Sequence, residues 1–188
     1  VFSLQNEFDQ AIVHYRSALD YVAAQQIAQP EVNQALKAIL HQELGAVLFR
    51  KGQVPDAVDQ LERALRINSD LAAAHYWLAQ ALTSQGRDDQ AIEHFQKAIR
   101  LASVFPQAAK PLGRLALAES RRLAEDGQFA QAIDLLADVR KMLPRNLDLT
   151  NALARYLCTC PDSQLRRGQA AVRLANQTVI ATGSNNPE

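Results

Sequence analysis

The chain has 188 residues, 48% of them apolar, and its 20 basic and 20 acidic side chains cancel. A balanced charge sets up no long-range field toward DNA or an anionic membrane, so no nucleic-acid partner is expected. The longest apolar runs are broken by Gln, His or Arg and fall short of the roughly 18 to 20 residues that span a bilayer, so no membrane insertion is expected either.

Two segments, GQVPDAVDQLERALRI from Gly52 and GRDDQAIEHFQKAIRL from Gly86, repeat each other. Aligning Ala57 with Ala91 sets Leu44 and Gly45 over Leu78 and Ala79, Leu61 over Phe95, and Ala64 over Ala98. The step from Gly52 to Gly86 predicts a helix-turn-helix unit, a period of about 34 residues that buries its apolar face only by stacking on its neighbours. Small residues where the two helices cross let their axes approach, and large neighbours fill the space beside them. Glycine at the turn permits the left-handed backbone that ends the first helix. The pattern resembles the tetratricopeptide repeat (TPR). That resemblance implies an all-α fold, a right-handed superhelical solenoid of antiparallel helix pairs, each a helix A followed by a helix B.

In chain order, residues 1–29 read as a truncated first repeat. Phe2 holds the aromatic place of helix A, Asn6 replaces the turn glycine, and Phe8 follows it. Ala11, Tyr15 and Ala18 then mark a helix B lengthened to about Gln29. Residues 30–71 form the second repeat, with Pro30 opening an extended helix A, because the step from Ala11 to Ala57 is twelve longer than that from Ala57 to Ala91. Residues 72–105 form a third repeat of ordinary length. The fourth, residues 106–146, carries Gly127, Phe129, Ala132, Leu136 and Pro144, and the step from Ala91 to Ala132 again exceeds the period. Its seven extra residues, two helical turns, belong at the front of helix A, where Pro106 suits the first turn and Pro111 falls near the start. The fifth, residues 147–188, places Leu149, Leu153, Ala154 and Leu157 in helix A and Ala171, Val172, Leu174, Ala175 and Ile180 in helix B. Between them, Thr159, Cys160, Pro161 and Asp162 resemble a variant repeat found in many bacterial TPR proteins. The expected total is nine helices plus the tail of a tenth. A start without Met and a closing Asn-Pro-Glu read as cut ends of a longer array, and oligomerisation or continuation through the end repeats is expected.

Residues that carry chemistry are sparse. His41 and His75 share one repeat position and His14 and His94 another, so their spacing follows from the repeat and they read as structural or solvated. Cys158 and Cys160 lack the two-residue gap and the second pair of a zinc knuckle. Cys160 reads as a buried small apolar residue beside Pro161. There is no Gly-x-Ser-x-Gly and no phosphate-cradling glycine loop, so no catalytic residue, metal or cofactor is expected and the chain does not read as an enzyme.

The TPR resemblance implies that helix A lines a concave groove that takes a protein or peptide partner. The inward positions expected to touch it are Gln42, Phe49, Arg50, Tyr76, Trp77, Gln80, Arg114, Arg121, Asn151 and Arg155, among neighbours such as Ala46, Leu117 and Asp148. Trp77, the only Trp, is open to two readings: an interface anchor beside Tyr76, or packing between neighbouring helices. Arg114, Arg121 and Arg155 suit a carboxylate or phosphate, or else snorkel along the helix surface. Some TPR proteins clamp a chaperone's terminal carboxylate with Lys and Asn, but those places hold Ala46, Trp77 and Gln80 here. The asparagine ladder of sugar-transferase TPRs is replaced by Glu43, Trp77, Ala118 and Ala152. The expected function is a non-catalytic protein-protein interaction scaffold. The alternatives are an accessory TPR arm of a larger glycosyltransferase or sulfotransferase, and a structural subunit that assembles through its end faces. Cytoplasm and periplasm both stay open.

Overall fold

Three glycine turns of one design punctuate the chain. The computed structural model describes residues 2–24, 30–102 and 106–182. Helix α2 (Pro30–Arg50) ends at Gly52, φ 86°, whose N–H donates to the Phe49 carbonyl while the Gln53 N–H donates to that of Leu48. Helix α4 (Ala72–Ser84) closes identically at Gly86, φ 72°, and α6 (Pro106–Glu125) at Gly127, φ 77°. Each closure satisfies two carbonyls that a helix end would leave bare, and a β-carbon on such a glycine costs about 1–2 kcal/mol.

After each turn comes a helix with its buried residues at the same offsets. In α3 (Val54–Ile67) they are Ala57, Val58, Leu61 and Ala64; in α5 (Asp88–Leu101) they are Ala91, Ile92, Phe95 and Ala98. In α7 (Phe129–Met142) they are Ala132, Leu136 and Val139. Full burial of Leu61 or Phe95 contributes about 1.5–3 kcal/mol. The α2–α3 crossing is close enough that a β-carbon on Gly45 would stand 2.6 Å from Leu61 Cγ and 3.2 Å from the Ala57 carbonyl oxygen.

The remaining helices are α1 (Phe2–Ala24), α8 (Leu147–Thr159) and α9 (Gly168–Thr182), giving nine helices and no strand among the described residues. The fold is an all-α helical repeat. It divides into two compact units, Val1–Ala108 and Ala109–Glu188. In the first, α1 packs on α2, α2 on α3 and α4, α3 on α4, and α4 on α5. Phe8, Tyr15 and Phe49 pack around a core of Ile12, Leu44, Val47, Leu48 and Ala57. In the second, α7 packs on α8 and α8 on α9. The Tyr156 hydroxyl of α8 donates to the Ser120 carbonyl of α6 at 3.3 Å, and its ring meets Phe129 of α7 edge-on.

The turn expected at Asn6 is absent. Helix α1 runs unbroken from Phe2 to Ala24, and no described residue other than glycine has a positive φ. Asn costs a helix interior well under 1 kcal/mol relative to Ala, and its neighbours Gln5, Glu7, Phe8 and Asp9 include no breaker, so the helix propagates through it. The tail of a tenth helix therefore merges into α1. The proposed extension to Gln29, the Phe2 side chain and the closing Asn-Pro-Glu lie outside the described residues. Helix α6 has 20 residues against 13 in α4, seven more, and Pro106 opens it. Pro111 sits in its second turn, where the missing N–H leaves the Gln107 carbonyl without its helical donor. Loop 160–167 joins α8 to α9 through an Arg167 N–H donated to the Leu157 carbonyl, and Cys160 beside Pro161 is buried.

Candidate functional site

In the first unit, five of the expected contact residues form one cluster on α2 and α4. The Trp77 ring lies 6.1 Å from Phe49 and 5.1 Å edge-on to Tyr76, which in turn meets Phe95 at 5.9 Å. The Arg50 guanidinium stacks over the indole, 4.7 Å from its centroid. Gln80 Nε2 donates to the Tyr76 hydroxyl at 2.9 Å, one helical turn along α4. Phe49, Tyr76, Trp77 and Gln80 are half-buried and Arg50 is exposed, so the cluster is fixed from below and open at its edge. An aromatic pair with a stacked cation holds its rotamers before any partner arrives, which lowers the entropy lost on binding. Gln42 is engaged with neighbouring Glu43 through Nε2, and Ala46 is buried, interrupting the row on α2.

The second unit does not gather its expected residues. Arg114, Arg121, Asn151 and Arg155 are all exposed. Arg155 lies over the Tyr156 ring at 5.3 Å, and Arg114 lines a pocket with Leu117 and Asp148.

An arrangement that the repeat register missed joins two histidines. His75 of α4 and His94 of α5 meet Nδ1 to Nδ1 at 2.8 Å, with ring centroids 5.0 Å apart. His75 Nε2 donates to the Ser69 carbonyl at 2.9 Å, so its Nδ1 is the acceptor and His94 Nδ1 the donor. Burial holds both imidazoles below the ordinary value. His94 is pushed down to about 4, first by burial and then by His75, Lys97 and Arg87. One repeat earlier, the same two positions hold His41 and Gln60, joined at 2.8 Å. Comparing histidines one full period apart hid this pairing, because the contacting positions lie 19 apart, across one helical hairpin. Among the described residues, no group of three His, Cys, Asp or Glu side chains is placed to hold a metal, and no helix is long and apolar enough to cross a membrane.

Antiparallel helix pairs with repeated glycine closures and small-residue crossings define a helical-repeat protein. The model of the tetratricopeptide repeat family matches residues 43–104. Over 144 residues, 77% of its length, the chain is 28% identical to human DnaJ homolog subfamily C member 3, and it spans 25% of that protein. Among solved structures, MamA matches with a TM-score of 0.54 and 20% identity, covering 95% of this chain and 91% of that one. YrrB, a TPR protein with an unusual peptide-binding site, matches with a TM-score of 0.53 and 19% identity over 96% and 80% of the two chains.

Proposed function

We propose that this chain is a non-catalytic scaffold that binds a peptide or partner segment along its A helices, α2 and α4 in the first unit and α6 and α8 in the second. The observation that carries the reading is the aromatic cluster of Phe49, Tyr76 and Trp77 under Arg50, a fixed and half-exposed surface of the composition that dominates interface energetics. The peptide-binding site of YrrB, a protein of the same fold, supports it. Tyr76 and Trp77 act as anchors, with Gln42, Gln80 and Asn151 as polar contacts and Arg114, Arg121 and Arg155 selecting acidic groups. The five repeats are assigned to residues 1–29, 30–71, 72–105, 106–146 and 147–188. Partner recovery from native extract, repeated with Trp77→Ala, tests the anchor: loss of about tenfold or more in affinity is expected. Unchanged recovery would remove it. A second reading, assembly through an end face, is favoured by Val172, Val179 and Ile180, which stand exposed on α9.

A further inference from the structure

The second unit contains a pocket of about 690 Å³, within the size range of ligand sites. One wall is a single face of α6, where Lys110, Gly113, Arg114 and Leu117 stand at i, i+3, i+4 and i+7. The seven-residue excess of α6 over α4 supplies the front of this wall. The facing wall is the end of α7 and the turn into α8, from Met142 to Asn146.

Gly113 sets the depth of the pocket. A β-carbon there would stand 2.6 Å from Asn146 Nδ2 and 3.8 Å from Leu143 Cδ1. Asn146 is the N-cap of α8, its Oδ1 accepting from the Leu149 N–H at 3.2 Å, so its side chain is held by one end. The other end, the Nδ2 amide, has no partner among the described residues. The same holds for the head groups of Lys110, Arg114 and Arg145, which surround the pocket against a single carboxylate, Asp148. Between them lie Leu117, Met142 and Leu143.

Two unbalanced positive charges and a free amide around an apolar floor ask for a ligand that is both anionic and apolar. Inorganic anions satisfy the rim and leave the floor wet. A nucleic-acid strand would bring phosphates but find no aromatic side chain to stack on. A peptide segment meets both demands. We infer that this pocket docks a partner-protein segment in which a leucine- or methionine-sized side chain is flanked by aspartates or glutamates. The inference rests on the scaffold reading above and adds to it a second anchor point and a partner chemistry.

The probe is a fluorescein-labelled heptapeptide of alternating glutamate and aspartate with leucine at its centre, followed by anisotropy. Controls replace the leucine with serine, or every acid with lysine. The acidic peptide binds saturably, and each control weakens binding about tenfold or more. The double variant Arg114→Glu, Arg145→Glu, whose exposed sites and circular dichroism report an intact fold, weakens it by at least as much. In the unmodified protein, the Gly113 and Asn146 amide resonances shift on titration. Absence of saturable binding, equal binding of either control, or shifts confined to other residues would overturn the inference. Trp77→Ala in the same series separates the two claims. Loss in that variant with none in the charge-reversed protein refutes the pocket and keeps the aromatic surface. No change in either variant refutes the pocket, while the aromatic anchor stands or falls on the native-partner recovery with Trp77→Ala.

Discussion

Replacing His94 by Gln should flatten the acid limb of the stability curve of the first unit while leaving neutral-pH stability nearly unchanged. The variant installs at position 94 the residue that already occupies the equivalent site, Gln60, opposite His41. A Gln amide can donate to His75 Nδ1, so the hydrogen bond survives and only a titrating group is lost. The folded His94 value of about 4 lies below the unfolded value near 6.5, so between them the unfolded chain binds more protons and stability falls as pH falls. For these values the linkage relation gives a loss of about 2 kcal/mol between pH 7 and pH 5. Because His94 is only half-buried and is coupled to His75, about 1–2 kcal/mol is the expected difference. The charges facing the pair act with burial: Lys97 lowers both groups and Arg87 lowers His94, whereas Asp70 and the Ser69 carbonyl raise His75. Urea unfolding of both proteins at pH 7, 6 and 5 measures the slope, and a carbon-detected imidazole titration reads His94 directly. Parallel slopes for the two proteins, or a His94 midpoint near 6.5, would refute the reasoning.

Gly45→Ala gains about 1 kcal/mol of helix propensity but drives a β-carbon to 2.6 Å from Leu61 Cγ at the α2–α3 crossing, where overpacking costs about 1–3 kcal/mol. A net loss of about 1 kcal/mol is expected, read as a lower urea midpoint with unchanged m-value; a gain would show that the crossing can relax. Tyr156→Phe removes the hydroxyl that reaches the Ser120 carbonyl and should cost about 0.5–1.5 kcal/mol in the second unit, while Tyr156→Leu, which also loses the ring contact with Phe129, costs more. Equal melting temperatures for wild type and the Phe variant would show that this hydrogen bond contributes nothing.

The helices of the repeats were legible in the sequence because their punctuation is local. Gly52, Gly86 and Gly127 each stop a helix through hydrogen bonds confined to one short turn, and the alanines at the crossings repeat at fixed offsets. Asn6 misled because its position in the register matched while its chemistry did not enforce a stop. A glycine closure resists continuation, whereas Asn is tolerated within a helix and lets it propagate. The Trp77 cluster was legible as a list of positions, but its stacking under Arg50 depends on how the end of α2 lies against α4. The pocket on α6 was not legible, since half of it is the turn from Leu143 to Asn146, whose position follows from packing. Its trace in the sequence is Gly113, a small residue on a helix front with no turn to explain it.

The excess length of α6 has a rotational consequence. At about 100° per residue, seven residues turn through about 700°, only about 20° short of two full revolutions. The added segment therefore faces the same way as the residues after it, and Lys110 stands in line with Leu117. An excess of five would have swung the lysine far round the helix from the leucine. Helix length in this array can thus change in steps that keep one helix face aimed, so that new length is added without redirecting the side chains already on that face.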